Sequence, residues 1–357
     1  MSGERTDDYF DRLVDLDALG AYLAAELGPE TDLAVEHHQE GHSNETLFVV
    51  WGERDLVLRR PAAGETAEKA HDVLREYRVM DALQDTAVPV PPTVLACDDH
   101  GVIGSDFYLM ERVDGHVLRY DEPDRFANRA DREAIGDRLI RTLAAIHAVD
   151  YDAVGLREFG HPPGYTERQV GIWTKQLDWA FEVTATEREI PTLDTVGAWL
   201  EDHCPDSHPH TLVHGDYKPD NVMLDPGDRP EVAAVFDWEL STLGDPRADL
   251  GWFCIYWRDP KDPPPAVPEL TARWMERAGY PSRRTLVSQY EEATGIEFTG
   301  ERFYRTLGVY KLAALGEMFY RRYLEGNSDD PMYPHMEERV PGLADRAMRI
   351  IEGEEPL

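Results

Sequence analysis

Apolar residues between positions 44 and 60 gather into two short runs, Thr46-Leu-Phe-Val-Val-Trp51 and Leu56-Val-Leu-Arg59, with Gly52-Glu-Arg-Asp55 between them. Runs rich in β-branched and aromatic residues on either side of a Gly-containing polar turn read as paired strands. A helix follows over about 65–84, with Val73, Glu76, Met80 and Leu83 on one stripe. The prolines of Val88-Pro-Val-Pro-Pro-Thr93 hold the next segment extended. A further strand, Phe107-Tyr-Leu-Met110, leads into Glu111-Arg-Val-Asp-Gly115. Beyond this point the period lengthens to that of a helix. Residues 131–149 place Ile135, Leu139, Leu143, Ile146 and His147 on one face, and helices are predicted at 165–183, after 267 and through 302–324. A β-rich patch at 211–240 interrupts them. The pattern predicts an α+β chain in two lobes: an antiparallel sheet with one helix over 1–111, then a larger, mainly helical lobe over 112–357, hinged near 111–115.

Composition changes this picture in one respect. The 357 residues include 70 acidic and 36 basic side chains, a formal net charge of −34, and only five of the basic residues are lysine. Such a surface repels nucleic acid and anionic membranes, which removes general nucleic-acid binding from the candidate functions. Excess carboxylate with scarce lysine suits concentrated salt, where the Debye length falls to about 3 Å near 1 M and the self-repulsion is screened. The acidity is therefore read as halophilic adaptation and not as a sign of a cationic substrate. Cys97, Cys204 and Cys254 are widely spaced with no CxxC pair, which fits neither a disulfide framework nor a zinc site and suits a reducing, cytoplasmic setting. The N-terminus lacks an apolar signal-like stretch and no run of 18 apolar residues occurs, so no membrane span is expected.

The chemistry concentrates in Leu212-Val-His-Gly-Asp-Tyr-Lys-Pro-Asp-Asn-Val-Met-Leu224. Asp216 and Asn221 stand five apart with Lys218 between them, and Asp237 ends the apolar run Val232-Ala-Ala-Val-Phe236. The turn signal Asp225-Pro-Gly-Asp-Arg-Pro230 predicts an antiparallel hairpin of 222–224 with 232–236. Pairing of that kind brings Asn221 and Asp237 toward one point. Two oxygen ligands so placed suit Mg²⁺, which takes one or two carboxylates and fills its octahedron with water and phosphate oxygens. Asp216 is then placed to accept a hydroxyl proton and Lys218 to neutralise a phosphoryl group in transit, the parts that phosphoryl transfer requires.

This pattern resembles the aminoglycoside phosphotransferase family of small-molecule kinases, which share the protein-kinase-like fold. The closer resemblance is to the kinase-like domains associated with acyl-CoA dehydrogenases. It is carried by Gly41-His-Ser-Asn44, Leu58-Arg-Arg-Pro61, Arg75-Glu-Tyr-Arg-Val79, Phe107-Tyr-Leu-Met-Glu-Arg112, Glu167-Arg-Gln169, the stretch from Phe236-Asp-Trp-Glu239 to Gly244-Asp-Pro-Arg-Ala-Asp-Leu250, and Tyr310-Lys-Leu-Ala-Ala314. The resemblance runs from about residue 36 to about 325. It implies Asp216 as catalytic base, Asn221 and Asp237 as metal ligands, and Gly41, Ser43 and Asn44 as a loop over the nucleotide phosphates. It also implies Arg59 as the phosphate-binding cation with Glu76 as its helix partner, and Met110, Glu111 and Arg112 as the segment that holds adenine. Arg59 is a departure, because the family commonly has Lys there and a guanidinium grips phosphate differently. Asp245 and Asp249 are read as structural, with Asp249 bracing the catalytic loop, and His147 as a core histidine.

The reading predicts an ATP- or GTP-dependent kinase, with Mg²⁺, acting on a hydroxyl of a small molecule. The resemblance suggests a hydroxyacyl-CoA or a related metabolite, with enzymes of acyl-CoA metabolism as partners. An anionic CoA thioester would call for cations, and Arg168, Lys175, Lys311, Arg321 and Arg322 are candidates in the second lobe. Arg59 keeps open an alternative, a pseudokinase-type module that binds nucleotide or a partner in fatty-acid metabolism. A metal-dependent hydrolase uses the same carboxylates but lacks the histidine clusters usual at such sites.

Overall fold

The computed structural model describes residues 9–357 except 11, 31, 39–43, 63–71, 207 and 329. The chain divides into two compact units. One holds the described residues up to Gly115 together with Ala233–Ser241; the other holds His116–Val232 and Thr242–Leu357. The first unit thus takes a short segment from far along the chain, and that segment contains Asp237.

The first unit is built on a five-stranded antiparallel sheet in the order β1-β2-β3-β5-β4: β1 (Leu33–His38), β2 (Asn44–Trp51), β3 (Arg54–Pro61), β4 (Thr93–Cys97) and β5 (Phe107–Glu111). β2 and β3 are the predicted hairpin, turning through Gly52, whose φ of 61° lies in the left-handed region. Helix α1 (Leu16–Leu27), which periodicity had not singled out, is capped by the Asp15 carboxylate. Its Leu19 and Leu23 join Leu47, Val49, Leu56, Leu58, Phe107 and Leu109 in one buried cluster. Side chains alternate across a strand, so Thr46, Arg59 and Tyr108, in register with one another on adjacent strands, share the opposite face.

Helix α2 (Val73–Leu83) covers that second face. The sequence predicts a helix over about 65–84; its part over 65–71 lies outside the described residues, and the Asp72 side chain accepts the Arg75 N–H at 2.9 Å and caps α2. Val73, Glu76, Val79, Met80 and Leu83 are its buried residues, so the predicted stripe is the one that packs. Burying a side chain of valine or leucine size contributes about 1.5–3 kcal/mol, enough to offset a charged residue among them if that charge is met.

The second unit is mainly helical: α3 (Arg129–His147), α4 (Tyr165–Thr184), α5 (Pro191–Asp202), α6 (Pro246–Tyr256), α7 (Arg283–Thr294), α8 (Glu301–Leu324) and α9 (Met336–Glu352). α8 packs against α4, α5, α6 and α9 and is buried on nearly all sides. Short strands support the central loop. β7 (Thr211–Val213) pairs antiparallel with β10 (Thr242–Gly244), and β6 (His116–Val117) with β8 (Val222–Leu224). After β8 the chain reverses as the turn signal predicts: the Gly227 N–H donates to the Asp225 side chain at 2.7 Å, and the Asp225 N–H to the Glu231 carbonyl at 2.8 Å. β9 (Val232–Val235) follows and carries the chain into the first unit.

Candidate active site

Within the second unit, the segment from β7 to β8 forms the catalytic-type loop. Gly215 takes φ 83°, a conformation that favours glycine, and the turn aims successive amides at one carboxylate. Asp249, in the first turn of α6, accepts the His214 N–H at 2.6 Å and the Gly215 N–H at 2.9 Å. His147 Nε2 meets the same carboxylate at 3.2 Å, and its Nδ1 pairs with the Tyr290 hydroxyl at 2.7 Å. Burial pushes the Asp249 carboxyl up, but the His147 hydrogen bond and charge, with His214, hold it below its ordinary value. Asp249 thus braces the loop and His147 is a buried, partnered histidine, as the sequence suggested.

Asp216 is the centre of the loop. Its Oδ2 accepts from Lys218 Nζ at 2.5 Å and from Asn221 Nδ2 at 2.9 Å, and its Oδ1 accepts from the Trp252 indole at 2.8 Å. The Asn221 amide also donates to the Asp216 carbonyl at 2.9 Å. Burial raises the Asp216 carboxyl, yet Lys218 and Lys311 outweigh it, so the group sits below the ordinary carboxylate range. Asp216 is therefore an ionised acceptor at neutral pH. Both Asn221 donations come from Nδ2, which leaves Oδ1 as the acceptor that the residue presents elsewhere. Asp220, in contact with Lys218 at 3.7 Å, is pushed up by burial.

Two members of this constellation were not legible in the motif. Trp252 reaches it from α6, 36 residues away, and Lys311 from α8, whose ammonium donates to the Gly215 carbonyl at 2.5 Å. Lys311, a candidate cation for an anionic substrate, is engaged by the loop. Two of the other candidates also have neighbours of their own. Arg168 donates to the Pro163 and His161 carbonyls, and Arg321 lies over the Trp179 ring at 3.8 Å and bonds Glu325 at 2.8 Å.

The first unit holds the other set. The Arg59 guanidinium donates to Thr46 Oγ1 at 3.0 Å and stands 3.8 Å from Glu76 Oε2, so the expected pair forms, at ion-pair rather than hydrogen-bond distance. Glu76 Oε1 accepts the Trp238 N–H at 3.3 Å, which ties α2 to the segment following Asp237. The Glu76 side chain is only 3% exposed. Burial raises its carboxyl, Arg59 offsets part of this, and Asp237 pushes it further up. Burial works to lower Arg59, but Glu76, then Tyr108, Asp237 and Glu239 raise it overall. Asp237 has φ 67°, the one positive value outside glycine among the described residues, in the left-handed region that aspartate enters more readily than most side chains. Asn44 Nδ2 lies 3.5 Å from Glu239 Oε2. Three carboxylates, Glu76, Asp237 and Glu239, thus act on one guanidinium.

Of the remaining expected residues, Gly41 and Ser43 lie outside the described residues. Met110 is buried, in register with Val57 and Thr93. Arg112 stacks on Phe48 at 4.3 Å, and its backbone N–H already donates to the Asp55 carbonyl at 2.9 Å. Among the described residues no three His, Cys, Asp or Glu side chains form a metal-binding group.

This geometry can be set beside known proteins. A family model described as "Phosphotransferase enzyme family" matches residues 34–286. The chain belongs to that family. It is a small-molecule kinase by class, with the protein-kinase-like fold. It is 36% identical over 322 residues to rat acyl-CoA dehydrogenase family member 11, a match covering 88% of this chain and 40% of the relative. The chain thus spans about two fifths of the length of the curated relative it matches. A crystal structure from Ralstonia eutropha, provisionally assigned as an aminoglycoside phosphotransferase, is 34% identical with a TM-score of 0.80, covering 95% of this chain and 99% of that one. The aminoglycoside phosphotransferase APH(4)-Ia, in a ternary complex with AMP-PNP and hygromycin B, shares the fold at a TM-score of 0.58 and 17% identity, over 92% of this chain and 98% of that one. No helix among the described residues is long and apolar enough to cross a membrane.

Proposed function

We propose that the chain transfers the γ-phosphoryl group of ATP to a hydroxyl of a small molecule, and that the acceptor is a hydroxyacyl-CoA or a related metabolite. The observation that carries the transfer is the Asp216 carboxylate, held ionised and fixed by Lys218 and Asn221. In this reading Asp216 orients the acceptor hydroxyl and takes its proton as the new P–O bond forms. Lys218 balances charge on the group in transit.

The donor set fits Mg²⁺: Asp237 offers a carboxylate and Asn221 an amide oxygen, hard ligands of the kind this ion takes, and the surplus of carboxylate around Arg59 favours a cation. Asn221 and Asp237 are the residues that would hold it. When bound, Mg²⁺ supplies charge neutralisation of the nucleotide's phosphate oxygens. Arg59, kept charged by Glu76, would bind phosphate together with Asn44; Gly41 and Ser43, proposed for the same role, lie outside the described residues. A paired Arg59 favours a working kinase over a pseudokinase. Met110 and Arg112 would line the adenine, and because the Arg112 amide is engaged, the neighbouring Val113 N–H is the donor left to the base edge. The AMP-PNP complex of the structural neighbour supports ATP, with GTP as the alternative donor.

The acceptor assignment rests on the relative named as an acyl-CoA dehydrogenase family member, which also makes enzymes of acyl-CoA metabolism the natural partners. A net charge of −34 supports work in concentrated salt, and three free cysteines support a reducing cytoplasm. The test is mass spectrometry of a panel of hydroxyacyl-CoAs incubated with the protein, Mg²⁺ and ATP in molar KCl. A phosphorylated acyl-CoA is the expected product. Phosphorylation confined to other alcohols would overturn the acceptor, and no phosphorylated product from any alcohol would overturn the transfer.

A further inference from the structure

The sequence motif accounts for two of the partners of Asp216, but the carboxylate is gripped from a second side. Trp252 on α6 gives its indole N–H to Oδ1 at 2.8 Å, and the Trp252 ring lies under the Lys311 ammonium, 4.1 Å from its centroid. Lys311 also lies 5.2 Å from the Trp173 ring of α4 and bonds the Gly215 carbonyl at 2.5 Å. A cation between two indole faces is held by both, and here it is only 8% exposed. The close approach of α6 and α8 makes this possible. A Cβ on Gly251 would lie 2.7 Å from the Tyr304 backbone carbon, so only glycine lets the two helices come this near.

We propose that Trp252 and Lys311 are positioning residues for phosphoryl transfer: Lys311 pins the Trp252 ring and the Gly215 carbonyl, and Trp252 fixes the rotamer of Asp216 so that the acceptor hydroxyl docks on Oδ1. This rests on Asp216 being the base. A carboxylate has about four lone-pair sites, and three of them are filled here, two on Oδ2 by Lys218 and Asn221 and one on Oδ1 by Trp252. The remaining site is on Oδ1, next to the indole. The acceptor carbon that bears the hydroxyl therefore packs beside an aromatic ring. Without the indole, the carboxylate can turn about its Cβ–Cγ bond and lose that aim, a loss of the size that misplacement by about 1 Å brings, about 10- to 100-fold in kcat.

The test uses the full chain labelled with ¹⁵N-tryptophan, which carries eight indole N–H groups. Trp252→Phe assigns the Trp252 signal. The expected result is that this signal moves in Asp216→Asn and in Lys311→Met, and returns toward its wild-type position in Lys311→Arg. In parallel, Mg²⁺-dependent phosphate release from ATP, with water as acceptor, is expected to fall 10- to 100-fold in kcat for Trp252→Phe and Lys311→Met, with the KM for ATP unchanged and part of the rate restored in Lys311→Arg. A Trp252 signal that stays in place in Asp216→Asn would overturn the proposal, as would a loss in Lys311→Met that falls on KM alone. Full activity in Asp216→Asn, with the Trp252 signal shifted, would overturn the base assignment and leave the brace intact.

Discussion

In the loop at 214–221 the oxygens of Asp216 meet three donors at 2.5–2.9 Å, and a second carboxylate, Asp249, closes the turn behind it. Around Arg59 in the first unit the spacing is looser: the ion pair with Glu76 is 3.8 Å long, the Trp238 amide is 3.3 Å from Glu76, and three carboxylates act on one cation. The loop is therefore preorganised by the chain itself. The Arg59 cluster carries an excess of negative charge that a further cation would balance. Substitution of Asp216 should act on the rate of transfer, and substitutions in the Arg59 cluster on nucleotide binding and on stability.

The largest contrast is expected between Asp216→Asn and Asp237→Ala. The first should lower kcat by about 10³-fold while nucleotide affinity, read by fluorescence titration, is kept. The second should abolish Mg²⁺-dependent turnover and weaken Mg-nucleotide binding while circular dichroism shows the fold retained. Equal effects of both on binding would erase the distinction between the regions.

Asp249→Asn sharpens it from the stability side. Weakening a buried carboxylate that holds two amides and His147 should cost about 3 kcal/mol, read by chemical denaturation. The sign of the pH dependence follows from the depressed carboxyl. A group whose folded value lies below its ordinary one, 3.8, contributes stability that is fully present above that value and is lost as pH falls through the folded value. The Tm gap between wild type and Asp249→Asn should therefore be widest above about pH 4 and narrow at lower pH. A gap that widens on acidification would contradict the assignment.

In the Arg59 cluster, Arg59→Met leaves Glu76 buried beside Asp237 and Glu239, with an expected loss of about 2–3 kcal/mol and a raised KM for ATP. Adding Glu76→Gln should restore part of the stability but not the KM. Restoration of both would mean that Arg59 acts only as a counter-charge. The smallest effect concerns the whole surface. Raising KCl from dilute buffer to molar concentration should raise Tm for wild type and every variant alike, and a Tm that falls would remove the salt-adapted reading.

Much of this was legible where the physics is local. The β2–β3 hairpin, the buried stripe of α2, helices α3 and α4 and the Asp216–Lys218–Asn221 spacing follow from short-range periodicity and from one contiguous motif. Other elements were hidden for identifiable reasons. α9 contains Pro341, which reads as a breaker; α8, by contrast, is expected through 302–324 and spans Glu301–Leu324. α1 and α5 passed unrecognised, although Asp15 caps the first and Pro191 opens the second. Trp252 and Lys311 join the site only through the packing of α6 against α8, and nothing in their local sequence separates them from core and surface residues.

The central claim is that Asp216 serves the transfer of phosphate to a small alcohol. It is tested most directly with γ-labelled ATP and Mg²⁺ in molar KCl, with pooled hydroxylated metabolites including hydroxyacyl-CoAs as acceptors, comparing wild type with Asp216→Asn. The account predicts label on a small molecule with the wild type alone, and the labelled product then identifies the acceptor. Equal labelling by the folded Asp216→Asn variant, or none by a wild type that binds nucleotide, would contradict it.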